Sequence, residues 1–352
     1  MSSLSPIIFS GLSENKEMKF FNNNSPEISY YGRWQNGYSG FGATYIKTRF
    51  TGTKIGLLLK STKIWWRVYI DNDKGNKFTS NGEILLADNL ENKEHEFLLV
   101  RLTEGQAGIA YFGGFFLEKN SKLIFSPKKQ YTFEFIGDSI TAGAMNDGKL
   151  NGSNYNEIGD NEYSYGPILA RMIGAEYSVI AKSGQGVAVN YTERPPFTMP
   201  HAADLYNWAF FYKDFGEKNI IWEAKKLPID ATFVAYGTND FITPNEKPNE
   251  NEFKENYKRI INNIRKMNGN IPIICILIPS SENVPFAAKY ISETINEIKS
   301  IGDKNIYYIE INETENLLNE RDYIDGKIHP TKEGSKKLAE FLIPKIKKIL
   351  KL

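Results

Sequence analysis

The chain has 352 residues, with 43 basic and 42 acidic side chains and a formal net charge of +1. This balance gives no sign of a nucleic-acid or anionic-membrane partner, and no apolar stretch approaches the roughly 18 residues of a membrane span. The single cysteine, Cys275, excludes a disulfide within the chain and nearly excludes a cysteine-based metal site. A chain of this length favours two domains over one.

The N-terminal segment, Met1 to Phe20, has no basic stretch followed by an apolar core, which is the pattern of a signal peptide. We therefore expect a cytoplasmic protein. The alternative that stays open is a secreted protein whose leader is missing from this sequence.

The first 126 residues are rich in aromatic residues, glycines and alternating polar and apolar positions, without an evident helical period. Clusters of turn-forming residues, such as Thr79-Ser80-Asn81-Gly82, separate the alternating runs. The predicted strands span residues 43–50, 56–59, 65–70, 95–102 and 108–117. Many short strands at this spacing predict an all-β sandwich or jelly-roll domain over residues 1–126.

From residue 127 onward, strand-like runs alternate with helical ones. Strands are predicted at 132–136, 177–181, 231–236, 271–278 and 306–311, and helices at 165–173, 252–267, 285–301 and 332–350. This alternation predicts βαβ units and a parallel sheet, giving a flavodoxin-like three-layer α/β/α domain over residues 127–352. The less regular segment 193–227 is expected to be an insertion over one face of that sheet.

Polar motifs follow the predicted strands of this second domain. They are Gly137-Asp138-Ser139-Ile140 after its first strand, Ser183-Gly184-Gln185-Gly186 after its second, Gly237-Thr238-Asn239-Asp240 after its third, and His329-Pro330 before its last helix. Ligands of open parallel sheets bind outside the carboxyl ends of the strands. We therefore expect these motifs to converge although they are far apart in sequence.

The residue types in these motifs point to acyl transfer. The Ser139 hydroxyl needs a base to become a nucleophile, and the imidazole of His329 has a suitable pKa for that role near neutral pH. The tetrahedral oxyanion needs fixed donors, for which the candidates are the backbone N–H groups of Ser139 and Gly184 and the side-chain amide of Asn239. Neither a metal nor an organic cofactor is required.

The same motifs resemble the sequence blocks of the SGNH (GDSL-like) hydrolases, in which the serine is the nucleophile and the histidine the base. The resemblance implies that Gly184 and Asn239 complete the oxyanion hole. A β domain ahead of the hydrolase domain, with Gly32-Arg33-Trp34 and the strand end Phe50-Thr51-Gly52-Thr53, is similar to carbohydrate esterase family 2. That family implies an acetyl esterase acting on sugars and plant polysaccharides, with a preference for 6-O positions.

One departure concerns the residue that orients the histidine. SGNH hydrolases usually carry Asp three positions before it, but position 326 is Gly, and Asp325 lies four positions before His329. Several family 2 esterases use a Ser–His dyad oriented by a backbone carbonyl. We therefore predict a dyad here, with a carbonyl within 325–327 facing His329 and Asp325 as only a possible orienter.

Other polar and aromatic residues have structural interpretations. His95 is expected at the surface because it lies between charged residues, and His201 is not expected to line the cleft. Asp138 and Asp240 are expected to make structural hydrogen bonds. The aromatic residues near the motifs are expected to pack in the core rather than against a sugar ring: Tyr206, Trp208, Trp222 and Phe241.

Together these patterns predict a carbohydrate O-acetyl esterase that acts through an acyl–Ser139 intermediate on acetylated sugars or xylan-type oligosaccharides. The expected partner is the acetylated carbohydrate, without nucleic acid or membrane. Two alternatives stay open: a lipid or thioester acyl hydrolase of the same fold, and a carbohydrate-binding protein without catalytic activity.

Overall fold

The computed structural model describes residues 7–8, 11–71, 73–148, 154–211, 219–223, 226–242, 246–278, 284–311, 317–326 and 328–352. Contacts within the chain divide it into two compact units. The first unit comprises Met1–Lys128 with Ala209–Asn219, and the second comprises Lys129–Trp208 with Ile220–Leu352.

The first unit contains two antiparallel sheets among its described residues. The first sheet has the order β1 (Ile7–Ile8), β10 (Gly82–Ala87), β7 (Ile55–Lys60), β12 (Ala110–Glu118), β5 (Tyr38–Ser39) and β4 (Trp34–Gln35), and β2 (Met18–Asn22) also pairs with β12. The second has the order β13 (Leu123–Ile124), β6 (Tyr45–Gly52), β11 (Lys93–Arg101), β8 (Trp66–Ile70) and β9 (Asn76–Phe78), and β3 (Ser29–Tyr31) pairs with β6.

The two sheets share one hydrophobic core. Alternate residues of β7 are buried in that core, and they meet side chains of the second sheet such as Trp66 and Leu99. The rings of Phe97 and Phe115, one from each sheet, lie 5.0 Å apart in an edge-on arrangement. The alternation read from the sequence therefore corresponds to inward and outward faces, and each of the five predicted strands occurs within two residues of its predicted bounds.

His95 corrects one sequence expectation, because its side chain is buried rather than at the surface, with only 2% of the residue exposed. Its ring contacts the Asp71 carboxylate through Nδ1 at 2.8 Å and the Glu91 carbonyl through Nε2 at 2.7 Å. The charged neighbours Glu94 and Glu96 misled the prediction. Successive residues of a strand face opposite sides, so outward glutamates on either side of His95 imply an inward histidine.

The second unit is built on a parallel sheet of strand order β15 (Glu176–Ala181), β14 (Thr132–Gly137), β16 (Ala231–Ala235), β17 (Ile273–Leu277) and β18 (Ile306–Glu310) within the part of the chain that the structure describes. In chain order this is 2-1-3-4-5, the order of flavodoxin-like sheets. Every strand predicted in this part of the sequence is present. The residues of β14, β15, β16 and β17 are almost all buried, which explains their mostly apolar sequences.

The helices of this unit are α1 (Ser139–Ala142), α2 (Tyr155–Ile158), α3 (Tyr165–Ile173), α4 (Ala202–Leu205), α5 (Thr238–Phe241), α6 (Glu250–Asn268), α7 (Val284–Ser300) and α8 (Lys332–Leu350), as far as the chain is described. The α3 helix packs on β15 and α8, while α7 packs on β18 and α6. Side-chain caps set two of the helix starts: Asn249 accepts the N–H of Glu252, and Thr331 accepts the N–H of Gly334. No helix in the described residues is long and apolar enough to cross a membrane.

The irregular segment 193–227 differs in part from the prediction. It contains α4, but its residues 209–219 group with the first unit, and Phe210 forms an isolated parallel bridge with Gly40 of that unit. No periodic pattern in the sequence indicates that residues 209–219 group with the first unit. Of the aromatic residues expected in the core, Tyr206, Trp222 and Phe241 are buried, whereas Trp208 is partly exposed.

Candidate active site

Ser139 is the first residue of α1, directly after β14. The carboxylate of Asp138 caps this helix by accepting the N–H of Ile140 at 3.0 Å. The cap requires an acceptor at residue 138 and makes the chain turn sharply at the end of the strand. The hydroxyl of Ser139 is thereby presented at the carboxyl edge of the sheet, where the residue is 6% exposed.

The structure brings Ser139 and His329 together across 190 positions of sequence. The Nε2 atom of His329 lies 2.8 Å from Oγ of Ser139, which is hydrogen-bond distance. This is the geometry in which an imidazole can take the proton of a serine hydroxyl. The central pairing of the predicted site is therefore present in the resting structure.

A short hairpin-like turn carries His329. The backbone N–H of Ile324 donates to the carbonyl of His329 at 2.9 Å, and Tyr323 and Pro330 form an antiparallel bridge. The turn is held against α8, because the Asp322 carbonyl accepts the N–H of Thr331 at 2.8 Å. These backbone bonds fix the position from which the imidazole reaches the sheet edge.

Asp325 contacts His329, although the sequence argument made this aspartate only a possible orienter. Its carboxylate hydrogen-bonds Nδ1 of His329, and its other oxygen accepts the backbone N–H of His329 at 2.9 Å. The sequence argument held that a spacing of four rather than three residues would redirect the aspartate. The turn absorbs the extra residue, since Gly326 adopts a positive φ of 96° that favours glycine. Lys327, the last residue of the predicted carbonyl segment, lies outside the described residues.

The electrostatics of this pair suit a general base. Partial burial alone would raise the pKa of Asp325, but the hydrogen bonds from the ring and backbone of His329 lower it below its ordinary value. An ionised Asp325 favours the proton on Nδ1, which leaves Nε2 as the basic atom facing Ser139. The side chain of Asp325 is 31% exposed, so the pair is in contact with solvent.

Asn239 lies on α5, where its side-chain amide connects two of the other motifs. Its Nδ2 donates to the carbonyl of Gln185 at 3.0 Å and to Oδ2 of Asp138 at 3.3 Å. The first bond links Asn239 to the residue after Gly184, and the second links it to the residue before Ser139. Asn239, one of the three proposed donors, is thus hydrogen-bonded to the sequence neighbours of the other two, Ser139 and Gly184.

Gly184 has a positive φ of 77°, a conformation that residues with a Cβ rarely adopt. Its carbonyl accepts the N–H of Tyr191 at 2.8 Å, so that the chain folds back beside it. Tyr191 is 49% exposed. The hydrogen bond from Tyr191, at the end of the loop that follows, therefore fixes the carbonyl group of Gly184.

Two buried carboxylates flank the proposed oxyanion donors in sequence. Burial raises the pKa of Asp138 to about 7, although the N–H of Ile140 and the nearby His329 act in the opposite direction. Burial likewise raises the pKa of Asp240, against the N–H groups of Ala188, Val187 and Val189 that stabilise its charged form. Both residues make the structural hydrogen bonds that the sequence suggested.

Sequence reasoning missed a polar cluster beside this site. His201 is buried and its Nε2 lies 2.9 Å from the Glu193 carboxylate, which also accepts the backbone and side-chain N–H groups of Asn190. Asn190 in turn accepts the N–H of Gly186 at 3.0 Å. The sequence signal was a set of polar residues within an irregular segment. Such a set does not reveal that Glu193 pairs with His201.

A second missed contact links α8 to the loop after α1. The ammonium of Lys332 contacts the carboxylates of Asp147 at 2.5 Å and Asp160 at 2.8 Å, and Asp160 is completely buried. Within the described part of the chain, no cluster of three or more His, Cys, Asp and Glu side chains is arranged to hold a metal ion.

The parallel sheet, with a serine–histidine pair at its carboxyl edge, defines a carboxylic ester hydrolase. A model described as the GDSL-like Lipase/Acylhydrolase family matches residues 135–337, more than half of the chain. A second model, described as Carbohydrate esterase 2 N-terminal, matches residues 30–127. The chain therefore belongs to the GDSL-like lipase/acylhydrolase family and carries a carbohydrate esterase 2 N-terminal domain ahead of the hydrolase domain.

Two curated relatives have esterase names. Cellulase/esterase CelE of Acetivibrio thermocellus is 28% identical over 299 residues, covering 81% of this chain but only 35% of its own length. The acetylxylan esterase / glucomannan deacetylase of Cellvibrio japonicus is 24% identical over 328 residues, covering 90% of this chain and 85% of its own. The chain thus spans about a third of the first relative and most of the second.

Solved structures of carbohydrate esterases have the same fold. A family two carbohydrate esterase from Clostridium thermocellum, solved in complex with cellohexaose, has a TM-score of 0.81 and 26% identity, covering 92% of this chain and 99% of that one. A family two carbohydrate esterase from Cellvibrio japonicus has a TM-score of 0.84 and 19% identity, covering 95% and 98%. The second likeness concerns the fold alone.

Proposed function

We propose that this enzyme is a carbohydrate O-acetyl esterase in which Ser139 is the nucleophile and His329 the base. The 2.8 Å contact between Nε2 of His329 and Oγ of Ser139 carries the proposal. The name of the Cellvibrio japonicus relative, acetylxylan esterase / glucomannan deacetylase, supports an acetylated carbohydrate as the substrate, and the name of CelE supports an esterase. We infer that the substrates are acetylated sugars and xylan-type oligosaccharides, with a preference for the 6-O acetyl group where the sugar is a hexose.

The reaction follows from the positions of the side chains. Oγ of Ser139 attacks the ester carbonyl carbon while Nε2 of His329 removes its proton, which then passes to the leaving sugar hydroxyl. Water, deprotonated by the same imidazole, then attacks the acyl carbon, the bond to Oγ of Ser139 breaks, and the proton on Nε2 passes to Oγ as acetate leaves. We infer that the Asp325 carboxylate, rather than a backbone carbonyl, holds the ring through Nδ1, as its hydrogen bond to that atom indicates.

The oxyanion is proposed to bind the N–H groups of Ser139 and Gly184 and the amide of Asn239. A primary amide has two N–H donors, and in the resting structure Asn239 directs Nδ2 to Gln185 and to Asp138. The contact with Asp138, at 3.3 Å, is the longer of the two. We infer that the oxyanion takes the place of Asp138 at this donor during turnover.

The finer description of the fold is part of the same proposal. We propose that the first unit is a jelly roll and that helices cover both faces of the parallel sheet in three layers. Residue 126 is the proposed boundary between the two domains. The two antiparallel sheets with a shared core and the 2-1-3-4-5 strand order support this description.

Acetate release tests the function. The wild-type enzyme, Ser139→Ala and His329→Ala are each incubated with acetylated xylan, acetylated glucomannan, 2-O-, 3-O- and 6-O-acetyl glucose and a long-chain fatty acyl ester. We expect wild-type acetate release, with 6-O-acetyl glucose preferred over its 2-O and 3-O isomers, and a loss on the order of 10³-fold or more in both variants. Ser300→Ala, at an exposed position near the end of α7, is the control and should keep full activity.

Each alternative gives a different result in this assay. Hydrolysis of the long-chain ester in preference to the acetyl sugars would identify a lipid acyl hydrolase. Binding of the oligosaccharides without acetate release would identify a carbohydrate-binding protein. Full activity in Ser139→Ala would contradict the proposed nucleophile.

A further inference from the structure

We propose that Asp240 is a positioning residue of the oxyanion hole, whose carboxylate holds the loop after β15 so that the N–H of Gly184 keeps its direction. The inference rests on the proposed function, because it concerns the donor that Gly184 supplies to that reaction. Asp240 itself makes no contact with the Ser139–His329 pair among the described hydrogen bonds. Its effect on catalysis would act through the loop.

Three consecutive backbone N–H groups converge on this single carboxylate. Oδ2 accepts the N–H of Val187 at 2.9 Å, and Oδ1 accepts those of Ala188 at 2.7 Å and Val189 at 3.0 Å. Asp240 is completely buried, so water cannot replace these bonds without local unfolding. Three charge-assisted bonds on one buried group make a strong and directional attachment of a loop.

The loop closes tightly around the carboxylate. A Cβ added to Gly186 would lie 1.9 Å from the carbonyl oxygen of Val189 and 3.2 Å from Oδ1 of Asp240. Gly186 therefore leaves no room for a side chain where residues 186–189 turn around the carboxylate.

The loop is connected to Gly184 at both of its ends. On the near side, the amide of Asn239, the residue before Asp240, donates to the carbonyl of Gln185 at 3.0 Å. On the far side, the N–H of Tyr191 donates to the carbonyl of Gly184 at 2.8 Å. Two consecutive residues of α5 thus fix the loop, Asn239 through a carbonyl and Asp240 through three N–H groups. A displacement of residues 187–189 would move the segment that holds Gly184.

The substitution Asp240→Asn makes a near-isosteric test of this role. One of the two positions that now accept N–H groups becomes an NH₂ group, which opposes a backbone donor instead of accepting from it. Depending on the amide orientation, either Val187 or the pair Ala188 and Val189 loses its acceptor. The fold keeps the remaining bonds, so the variant should be soluble and folded.

We expect Asp240→Asn to lower kcat by on the order of 10-fold to 100-fold with little change in KM, because oxyanion donors act mainly in the transition state. The rate is expressed per active site, and the active sites are counted by titration with a reactive phosphonate, which phosphonylates Oγ of Ser139 and releases its leaving group. A boronic acid, whose tetrahedral adduct on Ser139 presents an oxygen to the hole, should bind more weakly by a similar factor. A purely structural effect would lower the active fraction without changing these two quantities.

Glu134→Gln is the matched control, since Glu134 is also a buried carboxylate of the same unit. It accepts the hydroxyl of Tyr206 at 2.8 Å and that of Thr232 at 3.4 Å, within the sheet. The control should keep the wild-type kcat per active site and the wild-type affinity for the boronic acid. An equal fall in both variants would overturn the inference.

Hydrogen exchange decides the structural part of the inference without any enzyme assay. Asp240→Asn should increase the exchange rate of the amides of residues 184–191 selectively, while the amides of β14 and β16 stay protected. Unchanged exchange in residues 184–191, or unchanged kcat and boronic acid affinity per active site, would overturn the inference. If the wild-type enzyme released no acetate, the proposed function would fail, and the exchange measurement would still show whether Asp240 holds the loop.

Discussion

Oδ2 of Asp138 and Nδ2 of Asn239 lie 3.3 Å apart, although 101 positions separate the two residues in sequence. The contact joins the residue that caps the helix of Ser139 to the side chain proposed as an oxyanion donor. It also places a buried carboxylate with a pKa of about 7 within the site. The serine, the amide and the carboxylate therefore form one connected arrangement, which the following predictions probe at separate points.

Asp325→Ala should lower kcat by on the order of 100-fold, and Asp325→Asn by a similar factor, with little change in KM. Both changes remove the carboxylate that favours the proton on Nδ1. The tautomer of His329 with an unprotonated Nε2, which can accept the proton of Ser139, is then less populated. The effect should be smaller than that of His329→Ala because the imidazole itself remains. Steady-state kinetics on an acetyl ester measure it, with Asp303→Asn as a control at a carboxylate that pairs with Arg265 instead. A loss below about threefold would support the dyad.

Asn239→Ala should reduce kcat by roughly 100-fold to 1,000-fold, because it removes one of the proposed oxyanion donors. The KM for the acetyl ester should change little, since the ground-state carbonyl depends less on this donor. Asn249→Ala is the matched control, because Asn249 caps α6 and serves stability alone. Equal kcat values for the two variants would exclude Asn239 from the oxyanion hole.

Gly334→Ala should destabilise the enzyme and lower its activity, although alanine is intrinsically better in a helix than glycine by about 1 kcal/mol. An added Cβ would lie 2.3 Å from the backbone carbonyl oxygen of Asp322, so one of the two segments must shift. Asp322 belongs to the turn that presents His329, which connects the clash to catalysis. Thermal unfolding and kcat measure both effects. Lys336→Ala, exposed on the same helix, should lose neither stability nor activity.

Asp138→Asn should change the pH dependence of stability. The pKa of Asp138 is raised to about 7 in the folded state, chiefly by burial, from an ordinary value near 4. Such a group stabilises the fold fully below about pH 4, and this contribution is lost as the pH rises towards about 7. As the pH rises over this range, the unfolding free energy of the wild type should therefore fall relative to that of the variant, by on the order of a few kcal/mol.

The control for this measurement is Asp322→Asn, because the pKa of Asp322 is lowered in the folded state whereas that of Asp138 is raised. Burial opposes ionisation of Asp322, but the N–H of Asn319 and the ammonium of Lys337 lower its pKa overall. Its stabilising contribution is present above about pH 4 and is lost as the pH falls further. Parallel stability curves for the wild type and Asp138→Asn would contradict the raised pKa of Asp138.

Lys332→Met should cost the enzyme several kcal/mol of stability, because it leaves the fully buried carboxylate of Asp160 without its cation. The same change should lower activity less than the Asp325 variants, since Lys332 lies three residues beyond the histidine. Urea unfolding measures the stability. Lys336→Met is the control, because its contact with Glu340 is exposed and 3.9 Å long. Similar unfolding curves for the two variants would contradict the role of Lys332.

Much of the fold could be predicted because its signals are local. The buried strands of the parallel sheet have mostly apolar sequences, and α3 and α8 begin and end at the residues that periodicity predicts. The polar motifs could be assigned to the sheet edge because every residue after a parallel strand emerges there. Ser139 and His329 therefore emerged as a pair before any distance was known.

What the sequence did not reveal depends on contacts between distant segments. The inward orientation of His95, the grouping of residues 209–219 with the first unit and the pairing of Glu193 with His201 have no periodic signal, because each depends on which partner the fold brings close. The contact between Asp325 and His329 also depends on the tertiary structure. A spacing of four residues disagrees with the family pattern, and only the turn at Gly326 brings the Asp325 carboxylate back to Nδ1.

The amino-acid sequence alone thus determined the fold class and the sheet edge at which Ser139 and His329 meet, since these depend on local patterns and on the order of strands. The tertiary structure decided which acceptors orient them. A hydrogen bond requires its two atoms to lie within about 3 Å, and such a distance between remote segments follows from packing rather than from spacing along the chain.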